Sequence, residues 1–158
     1  MTGTVEGRLA ALGIVLPAPA APIANYVGFN FAGPGVLVVS GQIPLQDGKI
    51  LFTGKVGAGV SLDDARAAAR MCLVNVVAQV KAAVGDLDRV KRVVRLGGFI
   101  AAGPEFTQHA QVMNGASDLA VEIFGEAGRH ARSTIGVPSL PGDAAVVEIG
   151  RASCRERV

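Results

Sequence analysis

Gly85-Asp86-Leu87-Asp88-Arg89-Val90 stands between the clearest helix pattern and the longest strand pattern of this 158-residue chain, and the reading of its two flanks decides the fold. Upstream, Ser61-Leu62-Asp63-Asp64 opens a helix: the serine caps the first turn and Asp64 is the third residue after it. Met71, Leu73, Val76, Val77, Val80 and Val84 give that helix a wide apolar face, and Gly85 stops it. Downstream, Val90 to Ala101 predicts a strand, in which Lys91, Arg92 and Arg95 alternate with valines as a solvent side does.

Toward the C-terminus, a second helix is expected from about Glu105 or Gln108 to Phe124, ended by Gly125 and Gly128. Strands follow at Arg132 to Val137 and Ala144 to Ile149, joined by the turn Pro138 to Asp143. Toward the N-terminus, Thr4 to Leu12 predicts a short amphipathic helix, and Pro17, Pro19 and Pro22 impose an extended connection. Gly35 to Ser40 is a short apolar strand, expected to pair with one around Ile50 to Phe52 through the Asp47-Gly48 turn. This order gives an α+β fold, a small mixed sheet with two helices on one face. The other face would be bare in a monomer, and strands this apolar call for oligomerisation.

Half of the residues are hydrophobic, enough for one good core in one domain. No unbroken apolar run reaches the roughly 18 residues of a membrane span. The N-terminus lacks the basic start and apolar stretch of a signal peptide, so a cytoplasmic protein is expected. Two cysteines, Cys72 and Cys154, make no disulfide framework, and Cys72 reads as a small buried hydrophobe. From Ile149 or Gly150 onward the chain turns abruptly polar, and in one frame that string resembles the translation of a sequencing adaptor. A natural domain over 1–149 and a non-native tail over 150–158 are the expectation. Arg151, Arg155 and Arg157 against Glu156 account for the whole net charge of +2. The pI of 8.8 is therefore weak support for a nucleic-acid partner.

Most chemical signatures are missing. Ser40 has no nucleophile-elbow setting and Gly33-Pro34-Gly35 is no phosphate loop. His109 and His130 have no acidic or thiol partner at metal-ligand spacing, and His109 reads as a solvent-facing helix residue. Neither metal nor cofactor is expected. Arg132 stands apart: an arginine in the segment His130 to Thr134, at the head of an expected strand, needs a partner if it is covered, and its donor fork suits a bidentate carboxylate.

Pro22-Ile23-Ala24-Asn25-Tyr26-Val27, Val39-Ser40-Gly41-Gln42-Ile43-Pro44, Gly85 to Val90, and Ala131-Arg132-Ser133 with Leu140-Pro141 occur in order at characteristic spacing. Through them the chain resembles the YjgF/Rid family of reactive-intermediate imine deaminases, formerly described as endoribonucleases. The resemblance implies a chorismate-mutase-like fold and a homotrimer whose sheets form a central barrel, with sites between subunits. It implies that Arg132 grips the carboxylate of a 2-imino acid, which water converts to a 2-oxo acid and ammonia. Tyr26, Ser40, Gly41 and Asn114 fall on its substrate-lining positions. Glu148 falls on its final-strand glutamate, a general base for the water, although the turn before it is one residue longer here. Thr134 stands where many members have cysteine, and its hydroxyl is suited to orienting water. The connection Gly103 to Phe106 is longer than in the archetypal deaminase and is expected to reshape the pocket rim.

The leading expectation is an imine/enamine deaminase. The rival is a non-catalytic binder of small carboxylates on the same trimer. RNA cleavage is disfavoured by the neutral charge outside the tail and the lack of stacking aromatics.

Overall fold

The structure, a computed structural model, describes residues 4–155. Helix α1 (Val5–Ala11) is capped by Thr4, whose hydroxyl accepts from the Gly7 amide at 3.1 Å. Strands β1 (Phe29–Phe31) and β2 (Val36–Gln42) follow an extended proline segment that buried Gln79 pins through Ala20 O at 3.0 Å. Two small ribbons come next, β3 (Leu45–Gln46) with β4 (Lys49–Ile50), and β5 (Lys55–Val56) with β6 (Gly59–Val60). Then come α2 (Leu62–Val84), β7 (Val90–Ala101), α3 (His109–Phe124), β8 (Ala131–Val137) and β9 (Val146–Cys154). The main sheet has the order β1-β2-β9-β7-β8, with β7 and β8 parallel and its other pairs antiparallel.

The caps read from the sequence are in place. Ser61 Oγ accepts from the Asp64 amide at 3.1 Å, and Gly85 ends α2 at a φ of 77°. Although no apolar run is unbroken, α2 has the length and hydropathy of a membrane span. Two thirds of that window (67%) is buried inside the fold, as in a core helix. Ala65, Ala68 and Ala69 are fully buried along α2. They let α3 approach so closely that a Cβ at Gly115 would lie 2.2 Å from the Arg66 carbonyl oxygen.

Two expectations are corrected. Ile50 does not pair with β2: the Asp47-Gly48 turn, with both residues at positive φ, closes a ribbon only two residue pairs long. The partners of β2 are β1, a three-residue strand too short for a visible alternation, and β9. Finally, the last strand does not stop at Ile149. It runs to Cys154 because Gly150, Ala152 and Cys154, all small, fall on the inward positions, while Arg151 and Ser153 fall outward. Glu156 to Val158 lie outside the described residues.

Both long helices cover one sheet face. The other is open, with Ile135 half exposed (50%) and Ile149 at 41%. Gly41 and Gly97 flank Ile149 there.

Gly115→Ala is expected to cost about 1–3 kcal/mol, the usual range for overpacking, because the obstacle is backbone rather than a side chain able to turn away. Denaturant melts of both proteins check this, and an unchanged midpoint would contradict the close helix crossing.

Candidate active site

The register of β8 on β7 sets Leu96 opposite Arg132, Gly98 opposite Thr134 and Ile100 opposite Gly136. Side chains alternate along a strand. Arg132, Thr134 and Gly136 therefore share the side of β8 that faces α3. Arg132 is half-buried, and its Nη1 donates to Asn114 Oδ1 at 2.9 Å and Ser117 Oγ at 3.1 Å. Those two acceptors sit three residues apart, on one face of α3.

A second layer holds the acceptors. Ser117 Oγ lies 3.0 Å from His130 Nε2, and His130 Nδ1 lies 2.6 Å from the Gly128 carbonyl oxygen. A carbonyl only accepts, so Nδ1 carries a proton; in the Nδ1–H tautomer Nε2 is the acceptor. Ser117 then donates to His130 and accepts from Arg132. The histidine that the sequence left without a partner is thus a support for the arginine.

The Nε–Nη2 edge of Arg132 has no protein partner among the described residues. Ion pairs among those residues join Arg70 to Glu122, Lys81 to Glu6 and Arg129 to Glu126; none involves Arg132. A half-buried guanidinium with one nitrogen locked and its side-on fork open has the donor geometry that matches a carboxylate. Beside it Thr134 is half-buried, and its hydroxyl also has no protein partner among the described residues.

Glu148 shares this side of the sheet but not this place. It lies opposite Gly98 on β9, two strands from Thr134, or about 10 Å at the usual strand spacing. Met113 fills the row between them: a Cβ on Gly98 would meet its sulfur at 2.3 Å. Glu148 is fully buried, and neither carboxyl oxygen has a hydrogen-bond partner among the described residues. Burial pushes its pKa well above the usual carboxylate value and so favours the protonated acid over a charged base. Cys72, on the sheet-facing side of α2, has its Sγ 3.5 Å from the Val146 carbonyl oxygen, and burial above all raises that thiol as well.

The remaining predicted residues gather elsewhere. Ser40 Oγ donates to the Val27 carbonyl at 2.6 Å, tying the Tyr26-Val27 segment to β2. Tyr26 is 53% exposed, and Gly41 lies against Val147 on the open sheet face. Three strand spacings, about 14 Å, separate β2 from β8. One chain therefore brings together Arg132, Asn114 and Thr134, sets Tyr26, Ser40 and Gly41 apart from them, and buries Glu148 between the two groups.

His109 is a correction. Rather than facing solvent, it is half-buried at the start of α3, edge-on to Phe106 with centroids 5.1 Å apart. Its Nε2 is 2.4 Å from where a Cβ on Gly136 would be. The glycine four residues beyond Arg132 was the available signal. Among the described residues, no cluster of three His, Cys, Asp or Glu side chains is arranged to hold a metal.

A family model described as "YjgF/chorismate_mutase-like, putative endoribonuclease" matches residues 6–149. Protein TCP17 of Trypanosoma cruzi is 51% identical over 146 residues, covering 92% of this chain and 91% of that protein. The crystal structure of Atu1372 from Agrobacterium tumefaciens superposes with a TM-score of 0.89 at 47% identity, covering 95% of this chain and 92% of the other. Escherichia coli TdcF with bound serine superposes with a TM-score of 0.62 at 25% identity, covering 86% and 93%.

The raised pKa of Glu148 sets a pH signature. Its favourable, protonated state is fully present below the ordinary value of 4.5 and is lost as pH rises through the higher folded value. Glu148→Gln keeps the shape without the proton. Its melting temperature relative to the parent is expected to climb as pH rises above 4.5. A constant difference across pH would contradict a protonated Glu148.

Proposed function

The chain belongs to the YjgF/chorismate-mutase-like family, and from that premise we propose that it hydrolyses small 2-imino acids to 2-oxo acids and ammonia. The observation that carries this reading is the open Nε–Nη2 edge of Arg132, held in place by Asn114 and Ser117. TdcF, a relative of the same fold, binds serine, itself a small carboxylate.

In this reading the substrate carboxylate takes the open fork of Arg132 in two parallel hydrogen bonds. That sets C2 and its imine nitrogen over Thr134. Water held by the Thr134 hydroxyl adds to C2, and the C=N π pair moves to nitrogen, which takes up a proton. The carbinolamine hydroxyl then passes its proton to the amino nitrogen, the C–N pair departs with that nitrogen as ammonia, and the 2-oxo acid remains. Arg132 supplies binding and orientation, and its charge also draws electrons from the imine carbon. The buried Glu148 takes no part in these steps within one chain.

The open sheet face and the separation of the Tyr26, Ser40 and Gly41 group from Arg132 favour a homotrimer. In it, one copy's group would complete the next copy's site. A cytoplasmic setting goes with this reading. The isolation of Glu148 favours a second reading, a binder that captures carboxylates by the same arginine and activates no water.

The test couples threonine dehydratase, which releases 2-iminobutanoate, to detection of 2-oxobutanoate. The parent is expected to accelerate release, and Arg132→Ala to lose at least about thirtyfold in kcat/KM, the equivalent of about 2 kcal/mol. Ser117→Ala, which loosens the arginine without touching substrate, is expected to raise KM several-fold with kcat little changed. Equal rates with and without the parent, alongside saturable 2-oxobutanoate binding, would select the binder.

A further inference from the structure

His109 holds a place beside the Arg132 site that the steps proposed above leave unused. Arg132, Thr134 and Gly136 are alternate residues on the α3 side of β8. Bare Gly136 lets the half-buried His109 ring come down onto the strand, with Nε2 2.4 Å from where a Cβ would be. Thr134 therefore stands between the arginine and the imidazole, about 7 Å of strand from Arg132 and from Gly136 alike. We propose that His109 is the general base and acid of this site, taking a proton from the attacking water and delivering it to the departing nitrogen. The inference rests on the deaminase reading above and names the catalytic residue which that reading lacks.

The chemistry itself calls for such a group. Addition of water to C2 and loss of ammonia each move one proton from oxygen to nitrogen, so a side chain that both accepts and donates is needed. Arg132 stays charged at any working pH. Glu148 is shut away behind Met113. His130 has both ring nitrogens engaged, one by the Gly128 carbonyl and the other by Ser117. Neither ring nitrogen of His109 has a hydrogen-bond partner among the described residues. Three neighbours thus keep unmade hydrogen bonds along one lane: the open edge of Arg132, the Thr134 hydroxyl and the His109 ring.

Reach is the second argument. His109 and Asn114, the residue that holds Arg132 Nη1, are five positions apart on α3, a rise of about 7.5 Å. Guanidinium and imidazole are therefore set about the length of a small molecule apart. One water joining the Thr134 hydroxyl to the ring spans up to about 6 Å, close to the repeat of the strand. A substrate with its carboxylate on Arg132 and C2 over Thr134 has that water on its His109 side. The ring also lines a cavity of about 400 Å³ that opens to solvent, which supplies water to it.

The imidazole is held as well as near. Phe106 meets it edge-on with centroids 5.1 Å apart, and Phe106 is seated on Gly57, where a Cβ would come within 3.1 Å of its Cδ2. Gly57 has a φ of +83°, so glycine suits that position on two counts. Charged groups on the elements packed against His109 are Glu105, exposed on the connection before α3, and Arg132 on β8. Asp118 and Glu122 lie farther along α3 itself.

The proton steps balance. As the water oxygen bonds to C2, the ring takes one of its protons and the C=N π pair moves to nitrogen. The imidazolium gives that proton to the nitrogen, which leaves a neutral carbinolamine and a neutral ring. Next the ring takes the carbinolamine hydroxyl proton and passes it to the amino group. The oxygen pair closes the C=O bond, and the C–N pair leaves with nitrogen as ammonia.

The experiment compares the parent with His109→Gln in the threonine dehydratase assay across roughly pH 6 to 8, within the range where histidines change charge. The variant is expected to lose at least about a hundredfold in kcat, with KM and 2-oxobutanoate affinity within about threefold of the parent. The parent-to-variant ratio of kcat/KM is expected to fall as pH drops, because protonation removes a base that only the parent has. A variant with the parent's kcat, or a ratio constant across pH, would overturn the inference even if Arg132→Ala abolished turnover. Loss of 2-oxobutanoate binding together with activity would make His109 structural and also overturn it. If the parent accelerates no imine, the deaminase reading itself fails and the inference falls with it.

Discussion

The parallel pairing of β8 with the outer side of β7 is the constraint on which the functional geometry depends. It places an edge strand directly beneath the flank of α3, so that side chains leaving β8 on that side meet a helix rather than solvent. Arg132 is positioned by this arrangement and by nothing nearer in sequence: its acceptors Asn114 and Ser117 lie 18 and 15 residues away. A guanidinium half removed from water needs acceptors for its donors. Here the protein supplies them for one nitrogen and leaves the side-on edge for something else. Polarisation passes outward from the Gly128 carbonyl through His130 and Ser117 to the arginine, a chain in which every donor has one acceptor.

The same row of the sheet explains why Glu148 stands apart. Gly98 has no side chain, so Met113 descends onto it and seals the space between Thr134 and Glu148. Buried and without a hydrogen-bond donor among the described residues, the carboxyl is pushed toward its protonated form. Gln42 lies directly opposite on β2, yet its amide nitrogen turns to the Ser40 carbonyl at 3.0 Å instead. The open sheet face tells a complementary story. Its apolar centre, with Ile135 and Ile149, suits packing against further copies, whereas Arg95 and Arg151 lie opposite each other near one end. Like charges so placed oppose close packing there. Arg95 is partly occupied by Ser133 Oγ at 2.7 Å.

Much of the fold was legible because local signals carried it. Ser61 and Gly85 bracket α2 by capping chemistry, β7 has the bounds its apolar run implied, and Thr4 caps α1. The strand arginine was legible too, since a charged residue in a β-branched run demands an explanation. What stayed hidden depends on which strands become neighbours. Pairing β8 to β7 and inserting β9 between β2 and β7 are long-range choices, and no residue in any of these strands announces its partner. The placement of Glu148 follows from that order together with Gly98 and Met113. The support from His130 and the seat of His109 on Gly136 likewise need two elements brought together. The continuation of β9 to Cys154 was masked by composition: three arginines drew the eye, while alternation of small residues decided the structure.

The central claim is that the open edge of Arg132 receives a substrate carboxylate and not a carboxylate of the protein itself. The direct measurement is a crystal structure of the assembled protein grown with 2-oxobutanoate. The account predicts its carboxylate on Arg132 Nε and Nη2, with both Asn114 and Ser117 still holding Nη1. An aspartate or glutamate of a neighbouring copy on that edge, with the oxo acid elsewhere, would make Arg132 a structural ion pair and contradict it.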